Sequence, residues 1–440
     1  MNIFWKKMFG GMTPTHKLEK QEVALREQLQ RYFAVENSSE LAEFIQLKMT
    51  VEKSNFKRKK KILLNRKYKD TKEYRQRNKL NKIERIASFN RYLEIVERGE
   101  LNNFLAFREN EAYDDLSDKK KVKSSGFLQE MKKHERSKAY KIYLRYHDSF
   151  VEQEYLELKN IVSSNEFKER DAFWKNSRRW ETTAEYKIDE RYYNLKMNPD
   201  IQFYCNADSA RFEALKKIKV TLDEQFDGNT MNASLWSAGF YYKNDYMLKN
   251  HSFVNEKQAN NAGGNVSVHN GVLQIKTTEA HVLASAWDVK KGFVEKEFRY
   301  LSDAIHSANS FRQKGGCFRA KIRCTGPVQH AFWLAGEHKL PHINVFRFDG
   351  KKVTVGNATE KLFDQVEITG FSSSKYHIYT LFWTETELIW YINDLEVFRT
   401  AANLPNEPLY LSFNSFISEN MSGGEGLLEV DWLKVYSVEN

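Results

Sequence analysis

The sequence predicts an α + β multidomain chain, with an elongated α-helical repeat region first and an all-β region after it. Two observations favour this division. Between Pro14 and Pro199 there is no proline, and Gly99 and Gly126 are the only glycines, so this stretch contains almost no helix breakers. Beyond Gly228 glycine and proline return, and β-branched and aromatic residues alternate with polar ones in short runs, as in strands joined by turns.

These patterns predict three parts, which are an N-terminal segment 1–14, a basic helical repeat region 15–219 and a β-sandwich 220–440. Of the 440 residues, 41% are hydrophobic and 29% are charged, which is the composition of a folded protein. The first residues show no unbroken apolar stretch with a cleavage site after it, and no run of about 18 apolar residues follows. We therefore expect no export signal and no membrane span.

The helical region contains a degenerate repeat. An aromatic residue is followed three positions later by an apolar residue and then by a base, and this pattern recurs every 51 to 60 residues, at Phe44, Phe104, Tyr155 and Phe212. A second motif, Ser/Thr-x-x-Tyr-Lys/Arg, begins at Thr71, Ser137 and Thr183. Units of this size cannot bury an apolar stripe alone, so we expect them to stack on one another or on another chain.

The positive charge is concentrated in the helical half. Residues 1–220 hold 48 Lys and Arg against 34 Asp and Glu, whereas residues 221–440 hold 21 against 25. The densest basic patch is Lys57, Arg58, Lys59, Lys60 and Lys61. Such a patch attracts nucleic acid, anionic lipid or an acidic protein, and it is equally typical of a solvated helical face. No named nucleic-acid-binding signature accompanies it, so a nucleic-acid partner stays open.

The cysteines predict neither a disulfide framework nor a zinc site. Cys205, Cys317 and Cys324 are odd in number and lack CxxC spacing. The sequence predicts no cofactor and no metal ligands on this basis.

Segments of the β half follow one another in an order that matches a known family. They are 222–228 with Trp236 after it, 264–275 with an Asn-Gly turn at 270–271, 315–322, 330–336, 376–383, 388–394 and 428–436. In this order and spacing they resemble the glucanase domain of family 16 glycoside hydrolases along nearly all of 220–440. The resemblance implies a concanavalin A-like jelly-roll sandwich. Some relatives in this family hold a structural cation such as calcium on the outer side of the sandwich, and the candidate ligands here are Glu224 and Asp431.

The segment 341–350 decides what the resemblance implies for activity. Members of the family have the motif Glu-Ile-Asp-Ile-x-Glu at this position. Its acidic residues are the nucleophile, an assisting aspartate and the general acid. The matching positions hold His342, Asn344 and Arg347. Retaining hydrolysis needs two carboxyl groups about 5–5.5 Å apart, and neither an amide nor a guanidinium replaces one. The sequence therefore predicts no catalytic residues at these positions, which is the pattern of a pseudoenzyme.

The remaining side chains of this region support two further hypotheses. A sugar-binding cleft could be built from Trp333, His342, Asn344, Phe346 and Arg347, because aromatic faces stack on pyranose rings while amides and guanidinium groups bond hydroxyls. The alternative interpretation is that Trp333 and Phe346 are ordinary core aromatics. Two nearby carboxylates, Glu337 and Asp349, leave a relocated active site as the second alternative.

The function predicted from these observations is that of a non-catalytic structural or assembly protein carrying a lectin-like sandwich. Glucanase-like sandwiches ordinarily meet polysaccharide outside the cell, whereas this chain shows no export signal. A phage virion or phage-like particle resolves that conflict, and its location is then the virion or a cytoplasmic assembly. The expected partners are other subunits of a symmetric assembly, with glycan and nucleic acid left open. The alternatives are a carbohydrate-binding module for a surface glycan and a glycoside hydrolase with a relocated active site.

Overall fold

The structure is a computed structural model that describes residues 1–4, 6, 10–241, 251–337, 341–359 and 363–438. The chain forms two compact units. The helical unit is Ala34–Asn206, and the sandwich unit combines Met1–Phe33 with Ala207–Asn440. The predicted fold class, helices followed by a jelly-roll sandwich, is confirmed. Residues 15–33, assigned to the helical region from the sequence, lie in the sandwich unit.

The helices of the described residues account for most of the chain up to residue 216. They are α1 (Thr15–Glu36), α2 (Ser39–Val51), α3 (Ser54–Asn65), α4 (Lys72–Glu84), α5 (Ala87–Glu97), α6 (Asn102–Arg108), α7 (Lys119–Ser124), α8 (Gly126–Glu135), α9 (Lys138–Tyr146), α10 (Phe150–Ser163), α11 (Asn165–Lys175), α12 (Ala184–Lys196), α13 (Pro199–Asn206) and α14 (Ser209–Lys216), with 3₁₀ helices at Tyr68–Asp70, Glu111–Ser117 and Arg179–Thr182. None of these helices is both long and apolar enough to cross a membrane.

The Ser/Thr-x-x-Tyr motif marks helix starts. The Thr71 hydroxyl accepts a hydrogen bond from the backbone N–H of Tyr74, and Ser137 and Thr183 cap α9 and α12 in the same way. A side-chain oxygen at this position satisfies a backbone donor that the first helical turn leaves unpaired. The motif is therefore a capping signal rather than a binding site.

Two of the repeats have the same architecture. The first repeat consists of α2, α3, the 3₁₀ helix Tyr68–Asp70 and α4, and the third consists of α10, α11, the 3₁₀ helix Arg179–Thr182 and α12. Their corresponding elements begin 111 or 112 residues apart. The aromatic anchors Phe44, Phe104, Tyr155 and Phe212 are all buried, although Phe104 and Phe212 lie on the short helices α6 and α14. The repeat is thus regular only between its first and third units.

The strands of the described residues follow from residue 218 onwards. They are β1 (Ile218–Glu224), β2 (Ser237–Ala238), β3 (Ser252–Phe253), β4 (Gln258–Asn260), β5 (Val266–His269), β6 (Val272–Asp288), β7 (Gly292–Ser302), β8 (Ala304–His306), β9 (Arg312–Gln313), β10 (Gly316–Thr325), β11 (Gln329–Ala335), β12 (His342–Phe348), β13 (Val353–Ala358), β14 (Phe363–Ile368), β15 (His377–Trp383), β16 (Leu388–Ile392), β17 (Leu395–Thr400), β18 (Leu409–Phe416) and β19 (Gly426–Val438).

These strands form two sheets around one apolar core. One sheet, on which helix α1 packs, has the order β17-β16-β15-β10-β19-β6-β7-β4, and we call it the helix-covered sheet. The other has the order β14-β13-β12-β11-β18-β8-β2, and we call it the site sheet because it contains β12. The core takes Phe318 and Trp390 from the first sheet and Phe332 and Phe413 from the second, and all four side chains are fully buried. The alternation of apolar and polar residues along each strand produces this arrangement, since successive side chains point to opposite faces.

Helix α1 lies on the outer face of the helix-covered sheet. Arg319 and Lys321 of β10 alternate with core residues and point outward. Glu22 pairs with Arg319, and Glu19 pairs with Lys321 at 2.8 Å. The indole N–H of Trp432 also donates to Glu19, at 3.2 Å. Helix α1 therefore packs on the sandwich through its acidic side chains.

The first residues of the chain also belong to the sandwich. Ile3 and Met12 enter the core between the sheets, and the backbone N–H of Ile3 donates to the carbonyl of Thr369 at 2.9 Å. The sandwich unit is consequently discontinuous in sequence, with the helical unit inserted between α1 and α14.

Candidate functional site

Strand β12 presents the three positions singled out from the sequence on one face. A bulge interrupts its pairing with β11, so that His342, Asn344 and Arg347 stand opposite Ala335, Trp333 and Ala331 respectively. The inserted residue keeps the three polar side chains on the outer face of the site sheet. The intervening apolar residues of the strand pack into the core, and they are Ile343, Val345 and Phe346.

Two of the predicted sugar contacts are largely inaccessible. Phe346 is fully buried and packs on Tyr379 with ring centroids 4.5 Å apart, on the core side of the sheet. Trp333 lies on the outer face but is only 8% exposed, and its indole N–H donates to Asn414 at 2.9 Å. The structure therefore removes Phe346 from the site and makes Trp333 part of its floor.

His342 and Asn344 form a neutral pair. The Nε2 atom of His342 lies 2.8 Å from the side-chain oxygen of Asn344 and donates to it, and the imidazole stacks on Trp333 at 5.1 Å. Burial lowers the pKa of His342 and the positive charge of Arg347 lowers it further, against the effect of the bond to Asn344. The pair carries no negative charge at the position where the family places carboxylates.

Arg347 brings a positive charge to the same face. Its Nε atom is buried and makes no hydrogen bond within the described part of the chain. Because a guanidinium stays protonated, it stabilises anions and bonds hydroxyl oxygens but donates no proton in catalysis.

A carboxylate does occur beside this face, at the end of β11. Glu337 accepts a hydrogen bond from the Tyr241 hydroxyl at 2.8 Å on one oxygen, and pairs with Arg312 at 2.6 Å on the other. The Arg312 Nε donates in turn to the Ala308 carbonyl at 2.9 Å. Burial raises the pKa of Tyr241, and the bond to Glu337 raises it further, so the phenol is protonated and donates. Glu337 is thus fixed from two sides.

Aromatic rings connect Glu337 with the three β12 positions. Tyr241 lies edge-on to Tyr410 at 5.4 Å, Tyr410 lies edge-on to Trp333 at 5.9 Å, and Trp333 stacks on His342. The Arg312 guanidinium lies 4.9 Å from the centre of the Tyr241 ring. We call Tyr241, Arg312, Glu337 and Tyr410 the glutamate cluster. The sequence pointed to Glu337 alone, because its partners are distant along the chain and carry no motif.

Asp349, the second carboxylate named from the sequence, has a structural role. Its Oδ1 atom accepts hydrogen bonds from the backbone N–H groups of Lys351 and Lys352, at 3.0 and 2.9 Å. This arrangement closes the turn between β12 and β13, at the opposite end of β12 from His342. Of the two carboxylates, only Glu337 contacts the aromatic side chains of the site.

The two expected calcium ligands have separate partners. Glu224 accepts hydrogen bonds from the Phe226 backbone at 2.9 Å and the Trp236 indole at 3.3 Å, while Asp431 pairs with Lys321 at 2.9 Å. The residues that the structure describes contain one group of three ligand atoms close enough for a metal ion, and it lies in the helical unit, at His147, Asp148 and Glu152.

The basic patch is only partly a free surface. Lys59 pairs with Glu185 and Lys60 with Asp189, inside the helical unit. The other three members, Lys57, Arg58 and Lys61, are exposed. A nucleic-acid or other anionic partner for them stays a prediction.

Comparison with known proteins assigns the sandwich to a family. Residues 253–434 match the family model described as glycosyl hydrolases family 16. Two curated relatives come from Rhizobium meliloti (strain 1021). Endo-1,3-1,4-beta-glycanase ExsH is 26% identical over 194 residues, covering 39% of this chain and 40% of its own length. Endo-1,3-1,4-beta-glycanase EglC is 27% identical over 209 residues, covering 42% and 43%. The chain thus spans about two-fifths of the length of these relatives.

Solved structures of similar fold include two glucanases. The catalytic domain of an endo-1,3-beta-glucanase (laminarinase) from Thermotoga petrophila RKU-1 is 16% identical, with a TM-score of 0.41, and covers 51% of this chain and 99% of its own. The endo-beta-1,3-glucanase from Pyrococcus furiosus is 15% identical, with a TM-score of 0.41, and covers 51% and 95%.

These findings correct the predicted function. The prediction of a non-catalytic structural protein of a phage virion or phage-like particle is wrong, because the family model and the relatives named as glycanases point to a glycoside hydrolase. The pseudoenzyme prediction is wrong as well, and nothing in the described residues shows that catalysis is lost. Of the alternatives named from the sequence, these findings favour the glycoside hydrolase, and the relocation of its active site stays a prediction. The predicted resemblance is confirmed for residues 253–434, which match the family model described as glycosyl hydrolases family 16.

Proposed function

We propose that the sandwich unit is a glycoside hydrolase of β-linked glucans whose reactive carboxylate is Glu337. The observation that carries this proposal is the position of Glu337 beside the β12 face, between the Tyr241 hydroxyl and the Arg312 guanidinium. A base within hydrogen-bonding distance of a hydroxyl and oriented by a third group is the arrangement that activates a nucleophile. The family match supplies the reaction class.

Glu337 acts as the proton acceptor in this scheme. The ion pair with Arg312 favours the ionised carboxylate, which accepts a proton from the oxygen that attacks the anomeric carbon. That oxygen belongs to a water bound in place of the Tyr241 hydroxyl. As its bond to the anomeric carbon forms, the glycosidic C–O bond breaks and the leaving sugar oxygen takes a proton from solvent. Glu337 then returns its proton to solvent, so that one water is consumed overall. Arg312 keeps Glu337 in position throughout.

An exposed aromatic ring supports binding of a sugar chain across the site sheet. Phe363 on the edge strand β14 pairs with Ala358, which pairs with His342, so the three residues lie in one row. The Phe363 side chain is 74% exposed, and a ring face of this kind stacks on a pyranose. A glucan chain lying along this row would reach from Phe363 towards Glu337. The names of the curated relatives suggest a mixed-linkage 1,3-1,4-β-glucan as the first substrate to test.

The test measures release of reducing ends from mixed-linkage 1,3-1,4-β-glucan by the full chain. Glu337→Gln preserves size and hydrogen-bonding capacity but removes the base, and it should lower kcat by about 10²–10⁴-fold, the usual contribution of a general base. The KM should change little if Glu337 acts on the reacting bond rather than on binding.

Asp349→Asn serves as the matched control, since it makes the same chemical change in a carboxylate that only closes a turn. It should retain the kcat of the unmodified chain. Absence of hydrolysis by the unmodified chain on β-1,3-, β-1,4- and mixed-linkage glucans would refute the proposed function. Full activity in Glu337→Gln would refute the role of Glu337 alone.

A further inference from the structure

The first and third repeats of the helical unit exchange their last helices. Helix α2 of the first repeat packs on α12 of the third, and α10 of the third packs on α4 of the first. Glu43 of α2 accordingly pairs with Arg191 of α12 at 2.6 Å, and Lys79 of α4 pairs with Glu154 of α10 at 3.1 Å. Each repeat is therefore completed by a helix of the other.

Corresponding positions in the two repeats follow from the element starts. A residue of α3 corresponds to the residue 111 positions later in α11, and a residue of α4 to the residue 112 positions later in α12. Lys60 thus corresponds to Asp171, and Arg77 corresponds to Asp189. Both exchanged contacts use these positions, since Lys60 pairs with Asp189 and Arg77 pairs with Asp171 at 2.9 Å. The same ion pair occurs twice, with its polarity reversed.

The reversal matters for the arrangement in which each repeat folds on itself. In that arrangement Lys60 would face Arg77, and Asp171 would face Asp189. Both contacts would then join like charges, which is unfavourable at short distance in partly buried surroundings. Only the exchanged arrangement places opposite charges together at both positions.

A neighbouring pair of contacts shows that only particular positions distinguish the exchanged arrangement from the self-folded one. Lys59 pairs with Glu185, and at the corresponding place Arg170 pairs with Glu73 at 3.4 Å. Here the base lies on the second helix of both repeats and the acid on the last helix of both. These contacts would be equally favourable in either arrangement, so they do not discriminate.

The contact at Asp171 is the more buried of the two discriminating contacts. The Asp171 side chain is 6% exposed and also accepts hydrogen bonds from the Tyr68 hydroxyl and from Lys175. Burial alone would raise the pKa of Asp171, but the bonds from Lys175, Tyr68 and Arg77 outweigh it and lower the pKa. Asp171 is therefore ionised, and a second carboxylate at position 77 would be strongly repelled.

We propose that these four charges specify the pairing of the repeats. The surface formed by Lys60 and Arg77 on the first repeat fits a complementary repeat that carries Asp171 and Asp189, and it excludes a repeat of its own kind. The charges make the competing arrangement unfavourable as well as the native one favourable. The partner that fits this surface is the third repeat of the same chain.

The test reverses the charges in the full chain. The double variant Arg77→Asp with Asp189→Arg leaves the net charge unchanged. It places like charges in both exchanged contacts and opposite charges in both self-contacts. The reporter is a short bismaleimide crosslink between Glu43→Cys and Arg191→Cys, in a Cys205→Ser background because Cys205 is the exposed native thiol. The intramolecular crosslink should fall by at least about tenfold, since like charges then meet in both exchanged contacts and opposite charges in both self-contacts.

Lys60→Asp with Asp189→Arg is the matched control. It places the same arginine at position 189 but restores opposite charges in that contact and leaves Arg77 and Asp171 unchanged. Opposite charges then also meet in both self-contacts, so charge excludes neither arrangement, and the crosslink should stay well above that of the reversed variant while the helical circular dichroism signal of the parent is kept. An undiminished crosslink in the reversed variant, or equal loss in both variants, would overturn the proposal, because the charges would then not determine the pairing.

Discussion

The two units of this protein differ in the interactions that determine how their elements pack. The sandwich unit has one continuous apolar core between its sheets, whereas the helical unit has several small clusters joined by ion pairs. Strand β12 keeps its register although its outer face carries His342, Asn344 and Arg347, because its inward residues decide the packing. In the helical unit, by contrast, the polar positions Lys60 and Arg77 distinguish one arrangement from another. The packing of β12 is thus set by its inward apolar residues, whereas charged side chains take part in setting the packing of the helical unit.

The largest effect that this comparison predicts is in the sandwich core. Trp390 is fully buried and donates its indole N–H to the Asn344 carbonyl at 2.9 Å. Trp390→Ala should lower the free energy of unfolding of the sandwich by about 3–5 kcal/mol, through lost burial and a cavity. Urea unfolding followed by near-ultraviolet circular dichroism measures this, with exposed Val289→Ala as a control that should leave the midpoint unchanged. A loss below about 1 kcal/mol would contradict a single close-packed core.

The second-largest effect is a loss of stability of the sandwich unit at acidic pH. His330 is buried between the Ser415 hydroxyl and the Thr325 carbonyl, and burial lowers its pKa to about 4. The unfolded chain, with a histidine pKa of about 6.5, binds the proton more readily. Stability is therefore fully present above pH 6.5 and is lost as the pH falls towards 4, by about 3 kcal/mol.

The measurement is the urea midpoint of the sandwich between pH 7 and pH 4, with the helical signal at 222 nm recorded in the same samples. His330→Gln should reduce the slope of stability against pH over this range. An unchanged slope would show that His330 does not control the acid response and that other groups do.

The smallest effect concerns a helix start in the helical unit. Thr71 is fully buried and caps α4 through Tyr74. Thr71→Ala should cost about 1 kcal/mol, the usual value for a lost cap. Thr50→Ala is the control, because the Thr50 hydroxyl bonds only the Gln46 carbonyl within α2. Equal effects of the two changes on the thermal midpoint at 222 nm would argue against the capping interpretation.

Much of the fold was predictable because it follows from local preferences. The absence of proline between Pro14 and Pro199 predicted the helices, and the Asn270-Gly271 turn does connect β5 to β6. The exchange of helices was not predictable from the repeat itself, since an anchor such as Phe44 is buried equally well in either arrangement. The charges at Lys60 and Asp171 did carry that information, but only once the two repeats were aligned.

The site was predictable only where it is local in sequence. The alternation of apolar and polar residues around His342 and Asn344 predicted that these two side chains share a face. In the structure they do. The surroundings of Glu337 depend on Tyr241, 96 residues earlier, and on Arg312, 25 residues earlier. Such contacts are created by the sheet topology, which no local pattern reveals. The sequence therefore named Glu337 as a candidate carboxylate without revealing the side chains around it.

The discontinuity of the sandwich unit has a consequence for synthesis of the chain on the ribosome. Helix α1 is made early, but Lys321, the partner of Glu19, is 302 residues further along. At about 5–20 residues per second, roughly 15–60 s pass before that partner emerges. The inserted helical unit is complete long before then and can fold in the interval. Helix α1 consequently cannot reach its final contacts until β10 has been made, because the sheet on which it packs does not exist when the helix is made.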